Sequence, residues 1–211
     1  MSAKPRPAKD TPKSLKTRAR ILARATELFA TVGYHEAGNA VIAEAAGLTR
    51  GAMLYHFPTR EALVEGVVEH IQREADRLLE SAARTRPAGA DVAEHAIDTY
   101  WELLHETPLV ALRELQAVAR TDAGVAERIA GALSAFDRTG FGEPLSGLSN
   151  AAAAARLQTG RDLARFLLEG LAQGGMTFDD EARTGQLLAV VKRAVRVLNR
   201  KGEAADLWPD G

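Results

Sequence analysis

Apolar residues recur along this chain at intervals of three and four, the period of helices with one buried face, and runs of alternating Val, Ile and Thr are absent. Ile21, Leu22, Ala25, Leu28, Phe29 and Val32 place one stripe on a helix predicted over Ser14–Thr31, with Gly33 as its stop. A short helix over Ala40–Ala46 sets Ile42, Ala45 and Ala46 on one side and ends at Gly47. Thr49 reads as the N-cap of a second short helix reaching His56; Leu48 precedes it as a hydrophobic plug and Pro58 closes the unit. Thr59 can cap a long helix whose stripe runs from Leu63 through Val64, Val67, Val68, Ile71, Leu78 and Leu79 to about Arg84, and Glu61 suits its positive end. Beyond Pro87, punctuation by Pro and Gly separates helices predicted over Asp91–Glu106, Pro108–Arg120, Ala123–Phe141, Ala151–Gln173 and Asp179–Lys201.

Composition supports an all-α fold, since forty residues are Ala and aromatics make up only 5%. The predicted organisation is a flexible basic arm over residues 1–13, a helix-turn-helix module over 14–60, a helical body over 61–201 and a loosely ordered tail over 202–211. No internal repeat points to a solenoid. With no cysteine, disulfides, zinc ribbons and thiol chemistry are excluded. No apolar run approaches a membrane span, and the start MSAKPRPAKD has no signal-peptide core, so a cytoplasmic protein away from membranes is expected.

Charge changes this picture. The chain's net charge of -1 conceals ten Lys and Arg against four acids in residues 1–60, a net of +6, and -7 in the remainder. A basic front on an acidic body is the electrostatic footprint of a nucleic-acid module carried by a part that does not bind. Lys13, Lys16, Arg18 and Arg20 are candidates for phosphate contact; as ordinary solvated helix positions they would carry no such meaning.

The two short helices joined by Ala46-Gly47-Leu48-Thr49 have the parts of a helix-turn-helix. Ala43 lets the helices approach, Gly47 takes the left-handed conformation and Leu48 fills the angle between them. The second helix can then lie in a major groove, where base edges are distinguishable. Met53, Phe57 and Leu63 are expected in the core, Tyr34 at the end of the first helix, and His35 in a solvated turn.

In the order Gly33-Tyr34, then Ile42-Ala43-Glu44-Ala45-Ala46-Gly47-Leu48-Thr49-Arg50-Gly51-Ala52, then His56-Phe57-Pro58-Thr59-Arg60-Glu61-Ala62-Leu63, the chain resembles the DNA-binding domain of the tetracycline-repressor (TetR) family. The resemblance spans about fifty residues without a gap and implies a homodimeric all-α regulator whose C-terminal domain often binds a small ligand. It implies DNA contacts by Thr49, Arg50, Gly51, Ala52, Leu54, Tyr55, His56 and Arg60; Asn39, at a position where the chain departs from the family, is a further candidate for a phosphate. Arg50 suits bidentate donation to guanine, and the Ala52 methyl can touch thymine; Thr49, His56 and Arg60 suit phosphates. Leu54 stands where the family usually has Tyr, and Gly38-Asn39 where it has Ser or Thr, so Asn39 becomes the expected cap of the first short helix.

Two further sets of residues follow. Phe166, Leu167, Leu171, Leu187, Val191, Ala194, Val195 and Leu198 give the last two helices apolar arcs wider than a monomer core needs, which suggests a two-fold interface. Tyr100, Trp101, His105, Gln116, Phe136, Phe141, Phe166 and Met176 are candidates for a ligand pocket, with ordinary core packing as their alternative role. No catalytic motif is present, His70, His95 and His105 are too scattered for a metal site, and no cofactor is implied. The expected function is a sequence-specific transcriptional regulator, a homodimeric repressor on a palindromic operator, released by a small-molecule effector. The competing readings are an α-helical ligand-binding or enzymatic protein without DNA binding, and a family member with no small-molecule signal.

Overall fold

The computed structural model describes residues 11–84, 87–89, 91–139, 151–174 and 181–201; most of the expected arm, the tail from Gly202, Phe141 and Met176 lie outside them. Among the described residues the fold is all-α, with no strand. The helices are α1 Pro12–Thr31, α2 Asn39–Ala45, α3 Arg50–His56, α4 Arg60–Arg84, α5 Val92–Leu103, α6 Thr107–Ala119, α7 Ala123–Thr139, α8 Ala151–Gly174 and α9 Glu181–Lys201. Several of their starts follow from side chains that satisfy the free N–H groups of a first turn. Thr11 Oγ1 accepts from Ser14 N at 3.2 Å, so α1 starts two residues before the predicted Ser14, with Pro12 losing no hydrogen bond there. Thr59 Oγ1 accepts from Ala62 N at 3.1 Å, Asp91 Oδ1 from Ala93 N and Glu94 N at 2.9 and 3.0 Å, and Asp122 Oδ1 from Val125 N at 3.0 Å.

Contacts divide the chain into two compact units. The first comprises Met1–Asp76 with Glu106–Asp137. Ile21, Phe29, Ile42, Met53, Phe57 and Leu63 form its centre, and Leu112, Leu115 and Val118 of α6 and Val125 and Ile129 of α7 belong to the same cluster. Each large side chain buried this way contributes roughly 1.5–3 kcal/mol. The sequence reading puts α6 and α7 in a body over 61–201; their apolar stripes are instead buried with the N-terminal helices. Gly66 of α4 is a packing requirement here. A Cβ at that position would stand 2.9 Å from Phe57 Cε1 and 3.0 Å from Leu22 Cδ2, so a side chain there would push α4 off its neighbours.

The second unit comprises Arg77–His105 with Arg138–Gly211. Its α8 and α9 pack along one another, and α5 packs against both. Ile97, Tyr100, Leu168, Val191, Val195 and Leu198 are buried in it. The Tyr100 hydroxyl donates to Glu169 Oε1 at 2.8 Å, Lys192 pairs with Asp98 at 2.6 Å, and Arg196 pairs with Glu94.

Candidate nucleic-acid interface

The turn between α2 and α3 is fixed by backbone geometry that only a few residues tolerate. Gly47 has φ 64°, in the left-handed region, where a β-carbon costs free energy. That conformation lets Gly47 N donate to Glu44 O at 2.8 Å and Leu48 N to Ala43 O at 2.9 Å, which satisfies carbonyls at the end of α2 by the paired bonds of a Schellman motif. Leu48 packs on the core beneath the turn, and Ala43 is fully buried where the helices meet. Two residues later Thr49 Oγ1 accepts from Ala52 N at 3.1 Å and starts α3 as expected. At α2 the expectation fails: Gly38 occupies the cap position, Asn39 is the first helical residue, and no side-chain cap bond forms. The Asn39 amide is half-buried, with its oxygen lacking a hydrogen-bond partner among the described residues.

Seven residues make fewer than two turns, so α3 can anchor one side only. Met53, fully buried, is that anchor, and Phe57 at the helix end is buried with it. Thr49, Arg50 and Gly51 are exposed, and Tyr55 leaves 58% of its surface in solvent. Ala52, Leu54 and His56 are half-buried at the margins of that face. The result is a small rod that presents a guanidinium, a phenol and a bare backbone at Gly51 to whatever approaches. On α1, Lys13, Lys16 and Arg20 are likewise exposed.

Two arginines look similar to these in sequence but are used inside the fold. Arg18 Nη1 donates to His56 O at 2.7 Å, and its guanidinium lies 4.3 Å from the centre of the Phe57 ring. A cation at the carbonyl end of α3 is favourable, and this one ties α3 back to α1. Arg60, expected at a phosphate, donates from Nη1 to Ala37 O and from Nη2 to Tyr34 O, both at 2.8 Å. It also stacks 4.4 Å from the Tyr34 ring centre and 5.0 Å from that of Phe29. Glu114 of α6, which no sequence signal singled out, accepts from Tyr34 N at 2.8 Å. Tyr34 is buried against Phe29, as expected, and His35 is exposed.

Burial, and then the neighbouring Arg18 charge, hold the His56 pKa below its usual value and favour the neutral ring; its Nδ1 finds no partner among the described residues. Glu61 is held below the usual carboxylate range by its own backbone N–H and the Thr59 hydroxyl, consistent with a carboxylate at the N-terminus of α4.

Residues 21–67 match the family model for bacterial regulatory proteins of the tetR family. This segment, from α1 into α4, thus has the sequence of a TetR-family N-terminal module. The regulator UidR of Escherichia coli is 29% identical over 92 residues, 43% of this chain and 44% of that protein. The repressor Rv3405c of Mycobacterium tuberculosis is 35% identical over 86 residues, 41% of this chain and 43% of that protein. The match thus spans less than half the length of these curated relatives. A crystal structure assigned to the TetR family from a Rhodococcus species superposes with a TM-score of 0.61 at 18% identity, covering 87% of this chain and 98% of that one, and so shares the fold.

The residues expected at a ligand pocket are distributed over both units. Tyr100, Trp101, His105 and Phe166 fall in the second unit and Gln116 in the first. Tyr100 is buried, whereas Phe166 is 63% exposed. Trp101 and the exposed His105 stack edge to face at 4.7 Å, with His105 Nδ1 2.8 Å from Trp101 O. Phe136 lies on α7. A groove of about 540 Å³ in the second unit is lined instead by Glu94, Ala189, Lys192, Arg193, Arg196 and Val197.

The proposed interface residues divide. Val191, Val195 and Leu198 are buried within the chain itself, so their apolar character needs no partner; Leu171 and Ala194 are half-buried. Phe166, Leu167 and Leu187 remain exposed, as does Val190. Among the described residues no helix is long and apolar enough to cross a membrane, and no group of acids and histidines is arranged to hold a metal ion.

Proposed function

We propose that this chain is a sequence-specific DNA-binding transcriptional regulator, acting in the cytoplasm as a homodimeric repressor that a small molecule releases from a palindromic operator. The observation that carries the reading is the division of α3 into a buried anchor, Met53, and an exposed face bearing Thr49, Arg50, Gly51 and Tyr55. Such a face suits a major groove: Arg50 donates to guanine O6 and N7, Tyr55 meets a base or phosphate, and Thr49 and the α1 cations set the register on the backbone. Asn39 and His56, half-buried beside that face, are candidates for secondary contacts, while Arg60 contributes charge from inside the fold.

Apolar side chains left in solvent on α8 and α9 support a second copy as their cover, and two-fold symmetry would present two reading helices to two half-sites. Polar groups set among apolar helices of the second unit, Tyr100 with Glu169, support a bound effector there. Release then requires an effector that prefers the conformation with the wrong half-site spacing, and that preference sets the coupling.

The test is a duplex enriched from a random pool by the protein itself. Arg50→Ala should weaken binding to that duplex by about 1–3 kcal/mol and relax preference at one base pair, with no loss of folding, because the side chain is exposed. Log affinity should fall linearly with log salt. Full affinity in a variant lacking both Arg50 and Tyr55 side chains would remove α3 from the interface.

A further inference from the structure

The loop between α1 and α2 is gripped from two sides by opposite charges on distant elements. At Tyr34 the backbone N–H donates to the Glu114 carboxylate of α6, while its carbonyl accepts from the Arg60 guanidinium of α4. Arg60's other terminal nitrogen takes the Ala37 carbonyl, one residue before the Gly38 cap of α2. A planar fork reaching two carbonyls fixes a distance and an angle together, which a single point charge cannot do. The Tyr34 ring, stacked under that guanidinium at 4.4 Å, blocks sideways motion. Gly33, with φ 87°, leads directly into the grip.

We infer that Glu114 and Arg60 are positioning residues for DNA recognition: between them they fix the backbone entering α2, and through the α2–α3 turn the pose of the reading face. The inference rests on the DNA-binding reading above. Neither residue needs to touch DNA. Removing the Glu114 charge would by Coulomb attraction alone tighten binding to a polyanion; loss of the grip predicts the opposite for a specific site.

The experiment uses the full chain, the duplex it enriches from a random pool, and a scrambled duplex of equal length. Glu114→Ala should weaken the selected duplex about tenfold, the effect of one charge-assisted hydrogen bond, while the scrambled duplex is bound as before or more tightly. Glu114→Gln keeps an acceptor oxygen and should restore most of the preference. Arg60→Lys keeps the charge but loses the fork, and should lower the ratio of selected to scrambled affinity similarly. That ratio is the decisive reading, because partial unfolding would reduce binding to both duplexes alike. If Glu114→Ala does not fold, Arg60→Lys carries the test. An unchanged ratio in a folded variant overturns the positioning role. A wild-type chain that enriches no duplex overturns the DNA-binding reading itself, and this inference with it.

Discussion

Substitution at Gly51 sets stability against function within one side chain. Gly51 is the second residue of α3, exposed, and a Cβ added there would find no atom within 4 Å. Ala is favoured over Gly inside a helix by about 0.5–1 kcal/mol, since it loses less backbone entropy on folding. Gly51→Ala should therefore raise the melting temperature, by about 1–4 °C for a chain of this size. On DNA the same methyl occupies space between the α3 backbone and the base edges or phosphates, so affinity for the selected duplex should fall. Gly51→Leu, also a good helix former, should keep the thermal gain or most of it and bind far more weakly still. Differential scanning calorimetry and an operator titration on the same preparations give both numbers. Two results would refute the reasoning: a lower melting temperature, which would mean the site is not open, or undiminished affinity of the Leu variant, which would mean this face never approaches DNA.

Three other outcomes are expected. Val190→Glu places a charge on a side chain that is 63% exposed, so the chain should fold as before but sediment as a monomer if α9 faces a second copy. Because burial, and then the neighbouring Arg18 charge, lowers the folded-state pKa of His56, the unfolded chain binds the proton more readily; the associated stability is present above the unfolded value of about 6.5 and is lost as pH falls below it through the folded-state pKa. Urea midpoints between pH 7.5 and 5.5 should then fall less steeply in His56→Gln than in the wild type. Tyr100→Phe removes a hydroxyl that donates to Glu169 from a buried ring and should destabilise the chain by about 1–2 kcal/mol in urea unfolding; no loss would mean the bond is not made in solution.

The features legible in the sequence are those decided within a few residues of chain. Thr49 and Thr59 start helices because a hydroxyl three residues upstream meets a free N–H, and Gly47 turns the chain because only a residue without a β-carbon sits easily at φ 64°. Met53 and Phe57 could be placed in the core by period alone. Asn39 shows where this local logic falls short: a good capping residue stands one position late, and Gly38, with extended backbone, takes the cap. Partner choice is a different kind of information. The stripe on α6 says that something covers Leu112, Leu115 and Val118, not that α1 does. Likewise Val191, Val195 and Leu198 carry the same residue types as Leu187 and Val190, yet one set is covered within the chain and the other is not.

Charge is the least legible of all, because a guanidinium has the same letter whether it meets a phosphate or a carbonyl. Arg50 and Arg60 are ten positions apart in one basic module, but the first is held in solvent by a short helix anchored elsewhere, and the second is drawn inward by two carbonyls and two rings. Arg18 follows Arg60, turned onto His56 O, while Lys13, Lys16 and Arg20 on the same helix stay exposed. On the proposed DNA-binding reading, the net charge of +6 over residues 1–60 would set the general attraction to a polyanion, whereas discrimination among sequences would rest on the few cations the fold leaves exposed and on the others that hold them in place. A substitution that neutralises an inward-facing arginine should consequently damage specificity more than the salt slope, and one at an exposed lysine of α1 should do the reverse.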